Sequence, residues 1–127
     1  MKFPYAVSAV LDLYWYLEPQ RIVDRLRFNT FVSILHRYMY IAVPKAGCSS
    51  MKRLLHSLQI LGPFRWAPGQ GTHLRSSVPL PSLVDLDDAQ QKYVLQSADF
   101  FRMTIVRNPY DRLISAWRDK IVLCEPG

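Results

Sequence analysis

The chain has 127 residues and a formal net charge of +6, with half of its residues hydrophobic and 13% aromatic. That length fits one domain, that apolar content excludes a disordered chain, and that charge points to anionic partners such as nucleotides, sulfated or acidic glycans, nucleic acid or membrane surfaces. The two cysteines, Cys48 and Cys124, suggest neither a disulfide framework nor a zinc site, and no apolar run reaches the roughly 20 residues that span a bilayer.

In chain order, residues 3–17 read as a buried helix, with Val7, Val10, Leu11 and Tyr14 at helical spacing and Pro19 as its stop. Asp12 and the missing cleavage signal argue against a secretory leader there. Residues 20–36 predict a second helix, although the β-branched content of Thr30-Phe31-Val32 leaves a strand open. Residues 1–36 thus form an N-terminal helical segment and 38–122 a core, within one domain.

Tyr38 to Val43 is an aromatic and apolar run that predicts a buried strand. It stops at Pro44, and Lys45-Ala46-Gly47-Cys48-Ser49-Ser50 follows as a turn of small residues with one cation. Met51, Leu54, Leu55 and Leu58 then recur with a helical period, Ser49 or Ser50 is a fitting N-cap, and Gly62-Pro63 ends the helix. Residues 64–81 form a long loop holding Arg65, Trp66, His73 and Arg75, of a length that in compact domains often serves as a substrate loop. Residues 82–97 predict a helix with Ser82 as N-cap and Asp85 three later. Residues 100–106 predict a second strand. Asn108 and Pro109 then suit the N-cap and first position of a helix over 110–122, with Leu113, Ile114, Trp117 and Ile121 as its inward stripe.

The first strand, loop and helix make an anion site on physical grounds. Unpaired N–H groups and the positive dipole end of the helix face the loop. Gly47 permits close backbone approach, Lys45 adds a full charge, and Ser49 and Ser50 add hydroxyls. The order differs from the nucleotide-triphosphatase loop, because here the lysine precedes the glycine. Two strand-to-helix units predict a parallel sheet with helices packed on it, and ligands of such sheets sit at the carboxyl ends of strands. Arg107 ends the second strand and Ser115 lies on the second turn of the next helix, so both would face the same crevice as Lys45. An arginine fork suits phosphate; pairing of Arg107 with Asp111 or Asp119 is the structural alternative.

These segments resemble a known family. Val43-Pro44-Lys45-Ala46-Gly47-Cys48-Ser49-Ser50-Met51-Lys52-Arg53 is similar to the 5′-phosphosulfate loop of the sulfotransferases, in particular of their carbohydrate branch (sulfotransferase family 2-like). Ile105-Val106-Arg107-Asn108-Pro109-Tyr110-Asp111-Arg112-Leu113-Ile114-Ser115-Ala116-Trp117-Arg118-Asp119-Lys120 is similar to that branch's 3′-phosphate motif. The resemblance implies a P-loop-like, three-layer α/β/α fold and transfer of a sulfuryl group from 3′-phosphoadenosine 5′-phosphosulfate (PAPS; product PAP) to a hydroxyl of a carbohydrate. It also implies roles. Lys45 would meet the phosphosulfate and stabilise the leaving oxygen, and Ala46, Gly47, Cys48, Ser49 and Ser50 would cradle the same group. Arg107 and Ser115 would hold the 3′-phosphate. No metal is required, because lysine and backbone amides supply the charge.

The acceptor hydroxyl needs a base, and His73 in the long loop is the leading candidate, ahead of His36, His56 and the carboxylates Asp85, Asp87 and Asp88. Family domains continue past the second motif, so a partial domain is expected here. A catalytically inactive nucleotide- or anion-binding module is the alternative. A basic interaction domain is disfavoured because the cations sit at helix starts and strand ends, and nucleic acid is not an expected partner. A cytoplasmic, bacterial-type protein is the expected setting, with the Golgi lumen as alternative if the chain belongs to a membrane-anchored eukaryotic enzyme.

Overall fold

The structure, a computed structural model, describes residues 4–13, 16–60 and 78–123. Two helices open the chain, α1 (Tyr5–Leu13) and α2 (Pro19–Asn29). Pro19, expected as the stop of the first helix, is the first residue of the second, where its missing N–H costs nothing. The helix expected over 20–36 ends at Asn29, and Thr30–Ser33 is strand β1. The reason is burial. All four residues of Thr30-Phe31-Val32-Ser33 are buried. A pleated strand presents them alternately to two cores, which a helix stripe cannot do. Thr30 marks the switch, its hydroxyl donating to the Leu26 carbonyl at 2.5 Å and accepting from the Leu83 N–H at 2.8 Å.

A turn through Ile34–Arg37, with Arg37 at φ 53°, leads into β2 (Tyr38–Ile41), which pairs antiparallel with β1, Thr30 opposite Ile41 and Ser33 opposite Tyr38. Then come α3 (Cys48–Ile60), a 3₁₀ turn (Leu83–Asp85) and α4 (Asp88–Gln96). Strand β3 (Phe101–Thr104) lies parallel to β2, Tyr38 opposite Phe101 and Ile41 opposite Thr104. The expected parallel pairing is therefore present between the two motif-bearing strands, but the sheet is mixed, in the order β1-β2-β3. Helix α5 (Pro109–Trp117) and a π-helical turn (Arg118–Val122) complete the described chain.

Strand alternation sorts the core into two clusters. Phe31, Tyr38, Tyr40 and Ala42 meet Leu55 of α3 together with Val78 and Leu80. Val32 and Met39 point the other way, to Ala6 of α1, Val94 of α4, Leu83 and Phe100. Helices thus pack on both faces of the sheet. Gln91 of α4, 1% exposed, joins α4 to α1: its side-chain oxygen accepts from Ala6 N–H at 2.8 Å and its amide donates to Leu86 carbonyl at 2.8 Å.

Three sequence expectations are corrected here. Residues 82–97 are not one helix. The Ser82–Asp85 capping box forms, but it closes the 3₁₀ turn, and α4 has its own box from Asp87 and Gln90. Of the expected inward residues of α3, only Leu55 is buried, while Leu54 and Leu58 are about half exposed. The stripe expected to face inward on α5 is exposed, with Leu113 at 69%, Ile114 at 62% and Trp117 at 56%.

Candidate anion site

The two motifs converge at the carboxyl ends of β2 and β3. After β2 the chain turns through residues 44–47. Lys45 adopts φ 63° and Gly47 φ 81°, both in the left-handed region. For Gly47 that conformation is easy; for Lys45 it stores backbone strain, a feature that clusters at functional sites. A side chain at Gly47 would meet nothing within 4 Å, so the glycine is required by its dihedral and not by crowding. The expected cap by Ser49 or Ser50 is replaced by an earlier start: α3 begins at Cys48, and the Gly47 carbonyl already accepts from Met51 N–H at 3.1 Å. The first-turn N–H groups accordingly belong to Cys48, Ser49 and Ser50. Ala46 is buried, Ser49 half-buried and Ser50 exposed. Cys48 is a free thiol packed against the core cluster of Tyr40 and Leu55.

On the other side, β3 ends at Thr104, whose hydroxyl donates to the Ile41 carbonyl at 2.8 Å and ties the two strand ends together. Arg107 follows, exposed. Asn108 caps α5 as expected, its side-chain oxygen accepting from Tyr110 N–H at 2.9 Å, with Pro109 at the first helical position. Ser115 sits two turns on, half-buried.

A cleft of about 450 Å³ lies between the motifs. Lys45, Gly47, Cys48 and Ser49 line it from the first, Arg107 and Ser115 from the second. Ser50 and Ala46 do not line it. A smaller hollow of about 130 Å³, bounded by Arg107, Asp111, Ser115 and Arg118, continues on the α5 side. Among the described residues Arg107 makes no ion pair; Asp119 is taken by Lys45, with Arg118 Nε at 3.6 Å. The hydrogen bond from Lys45, reinforced by the charges of Lys45 and Arg118, holds the Asp119 carboxyl below the ordinary carboxylate range.

Three charged residues of the cleft, Lys52, Asp119 and Lys120, were not assigned a role from the sequence. Lys52 is 4% exposed, its ammonium 5.6 Å and 5.4 Å from the ring centroids of Phe28 and Phe31. The position of Lys52 inside the first motif, one helical turn beyond Cys48, is the sequence signal that it shares the loop's face. Asp119 was considered only as a partner of Arg107; its position one turn beyond Ser115 puts it on the same side of the helix.

The carboxylate alternatives to a histidine base are committed elsewhere. Asp85 accepts from Ser82, Asp87 caps α4, and Asp88 accepts from Tyr5 N–H at 3.1 Å. His36 stacks on Tyr38 in the β1–β2 turn, and His56 does not line the cleft. His73, with Arg65, Trp66 and Arg75, lies outside the described residues. Among the described residues no cluster of metal-binding side chains occurs, and no helix is long and apolar enough to cross a membrane.

Residues 28–125 match the model of the sulfotransferase family, which is most of the chain. The chain belongs to the sulfotransferase family. It is 39% identical over 90 residues to carbohydrate sulfotransferase 8 of Mus musculus, covering 71% of this chain and 21% of that protein. To carbohydrate sulfotransferase 9 of Homo sapiens it is 34% identical over 95 residues, covering 71% of this chain and 20% of the relative. To carbohydrate sulfotransferase 10 of Homo sapiens the figures are 31% over 102 residues, with 80% and 27% covered. The chain thus spans between a fifth and about a quarter of the curated relatives it matches. No solved structure matches it significantly.

Proposed function

We propose that this sulfotransferase-family chain binds PAPS in the cleft between its two motifs and serves transfer of the sulfuryl group to a carbohydrate hydroxyl. The observation that carries the reading is the convergence of Lys45, the α3 N-terminus, Arg107 and Ser115 on one cleft from two segments far apart in sequence. The residues fit such a donor. A left-handed turn places one ammonium and first-turn N–H groups at one end, and an arginine that makes no ion pair among the described residues and a hydroxyl stand at the other. When bound, the donor supplies the activated sulfuryl group.

The chain's own residues then have distinct tasks. Gly47, Cys48 and Ser49, which line the cleft, offer backbone N–H groups to the phosphosulfate, while the Ala46 N–H is engaged by the Val43 carbonyl at 3.2 Å, and Lys45 stabilises negative charge on the departing phosphate oxygen. Arg107 engages the 3′-phosphate through its guanidinium fork while Ser115 donates a hydroxyl hydrogen bond. Preorganised donors of this kind do most of the work in transfers where charge spreads over the oxygens. No metal enters the proposal. His73 is our proposed base for the acceptor hydroxyl. We keep the complete P-loop-like three-layer sandwich, and the division into a 1–36 segment and a 38–122 core within one domain, as the architecture that goes with this reading. The relatives compared come from mouse and human, which removes the ground for a bacterial-type cytoplasmic setting. We therefore carry the Golgi lumen as the proposed compartment.

The test is calorimetric titration with PAP, with adenosine 5′-phosphate as control. Wild-type chain is expected to bind PAP in the micromolar range, and Lys45→Ala and Arg107→Ala each to weaken it at least about tenfold, the loss of one charge-assisted contact. Only Lys45→Ala should also weaken adenosine 5′-phosphate. Absence of PAP binding by folded chain would refute the donor site.

A further inference from the structure

Asp119 is the one carboxylate lining a cleft that also holds Lys45, Lys52, Arg107 and Lys120, among the described residues. Its partner in that company is specific. Its Oδ2 pairs with Lys45 Nζ across 74 residues of sequence. Both side chains are largely withdrawn from water, 26% exposed for Lys45 and 15% for Asp119. Asp119 is presented by the π-helical turn that follows α5, closed by Leu123 N–H donating to the Arg118 carbonyl at 2.8 Å. Such turns recur where a helix must aim a functional side chain.

We infer that Asp119 is a built-in occupant of the anion position on Lys45, and that an incoming phosphosulfate must exchange with it. The inference rests on the donor reading above. The physical case is one of charge balance. Four cations gathered in one cleft repel one another, and a carboxylate on Lys45 offsets part of that repulsion when no ligand is present. An anion that arrives at the loop needs the same ammonium. Lys45 cannot give its full charge to both, so the carboxylate is a competitor that sits on the protein itself. The exchange keeps Lys45 ordered before binding and sets an affinity threshold. It discriminates against singly charged anions, which gain too little to displace Asp119, in favour of a ligand that also engages Arg107. Asp119 is on this account a positioning residue, acting through Lys45.

The test is a double-mutant cycle in PAP affinity by calorimetry, using wild type, Asp119→Asn, Lys45→Ala and the double variant at fixed salt. Asp119→Asn is expected to tighten PAP by about 3- to 10-fold, and the gain should shrink to less than half of that on the Lys45→Ala background. Inorganic sulfate should gain by a larger factor than PAP, because it lacks the second anchor. A neutral or weakening effect of Asp119→Asn would overturn the exchange and make the carboxylate a support for cofactor binding. Equal tightening on both backgrounds would also overturn it, leaving a general charge effect. Wild type that binds PAP while Asp119→Asn shows no gain removes this inference alone. Failure of every variant to bind PAP, with circular dichroism showing folded chain, removes the donor reading together with it.

Discussion

At the residue scale the loop after β2 concentrates strain and charge in one position. Lys45 holds a left-handed backbone that a side chain with a Cβ adopts at a cost of roughly 1–2 kcal/mol. Stability and binding therefore pull against each other there. Lys45→Gly is expected to raise the melting temperature relative to Lys45→Ala while both lose PAP affinity; equal melting temperatures would show that the dihedral carries no strain. Gly47→Ala makes the complementary case. It finds open space but the wrong φ, so it should lower stability by roughly 1–2 kcal/mol in denaturant titrations. Asp119 adds a pH dependence. Its carboxyl is held low by Lys45 first and Arg118 second, with Lys120 and Arg107 as further cations on the cleft. A depressed carboxylate contributes stability above the unfolded pKa, about 4, and loses it as pH falls through the folded value. Wild type should therefore lose stability more steeply than Asp119→Asn below about pH 4, measured by thermal melts across that range.

At the element scale the joints are polar and specific. Gln91 is the clearest. It is buried, and it serves Ala6 N–H of α1 and Leu86 carbonyl at once. Gln91→Ala leaves both groups without that partner in a dry interface, and should cost about 2–4 kcal/mol in chemical denaturation. Gln91→Glu buries a carboxylate and sets one of its oxygens against the Leu86 carbonyl, so a loss at least as large is expected for it near neutral pH. The cap of α5 is exposed and simpler. Asn108→Ala removes one N-terminal acceptor and should cost about 1 kcal/mol. It should also loosen the placement of Arg107 beside it, seen as weaker PAP binding. The cap was legible in the sequence because Asn-Pro at a strand end has few other uses. Gln91 was not, because nothing in the spacing of a glutamine says that it will be buried.

At the scale of the whole molecule, apolar residues are left on one side. Val106, Tyr110, Leu113, Ile114, Trp117 and Ile121 are all more than half exposed, and β3 is an edge of the described sheet. Patches of that kind drive association in water. Sedimentation velocity on this chain should show concentration-dependent self-association, reduced by Leu113→Ser with Trp117→Ser. Monomeric behaviour of wild type up to high concentration would contradict the exposure described.

Local chemistry determined much of this protein. The β2 strand, the small-residue loop with Lys45 and the Asn108–Pro109 helix start all follow from short-range rules of propensity, capping and charge, because each involves residues within a few positions of one another. The family was legible for the same reason: its two motifs are contiguous. Tertiary structure decided the rest. Thr30 to Ser33 became a strand because two cores on opposite faces needed it. The α5 stripe points to water although its period is that of a core helix, since periodicity marks a face without saying what covers it. The Lys45–Asp119 pair joins residues 74 apart, and only the packing of two parallel strands, which sets their carboxyl ends side by side, brings that ammonium and that carboxylate together.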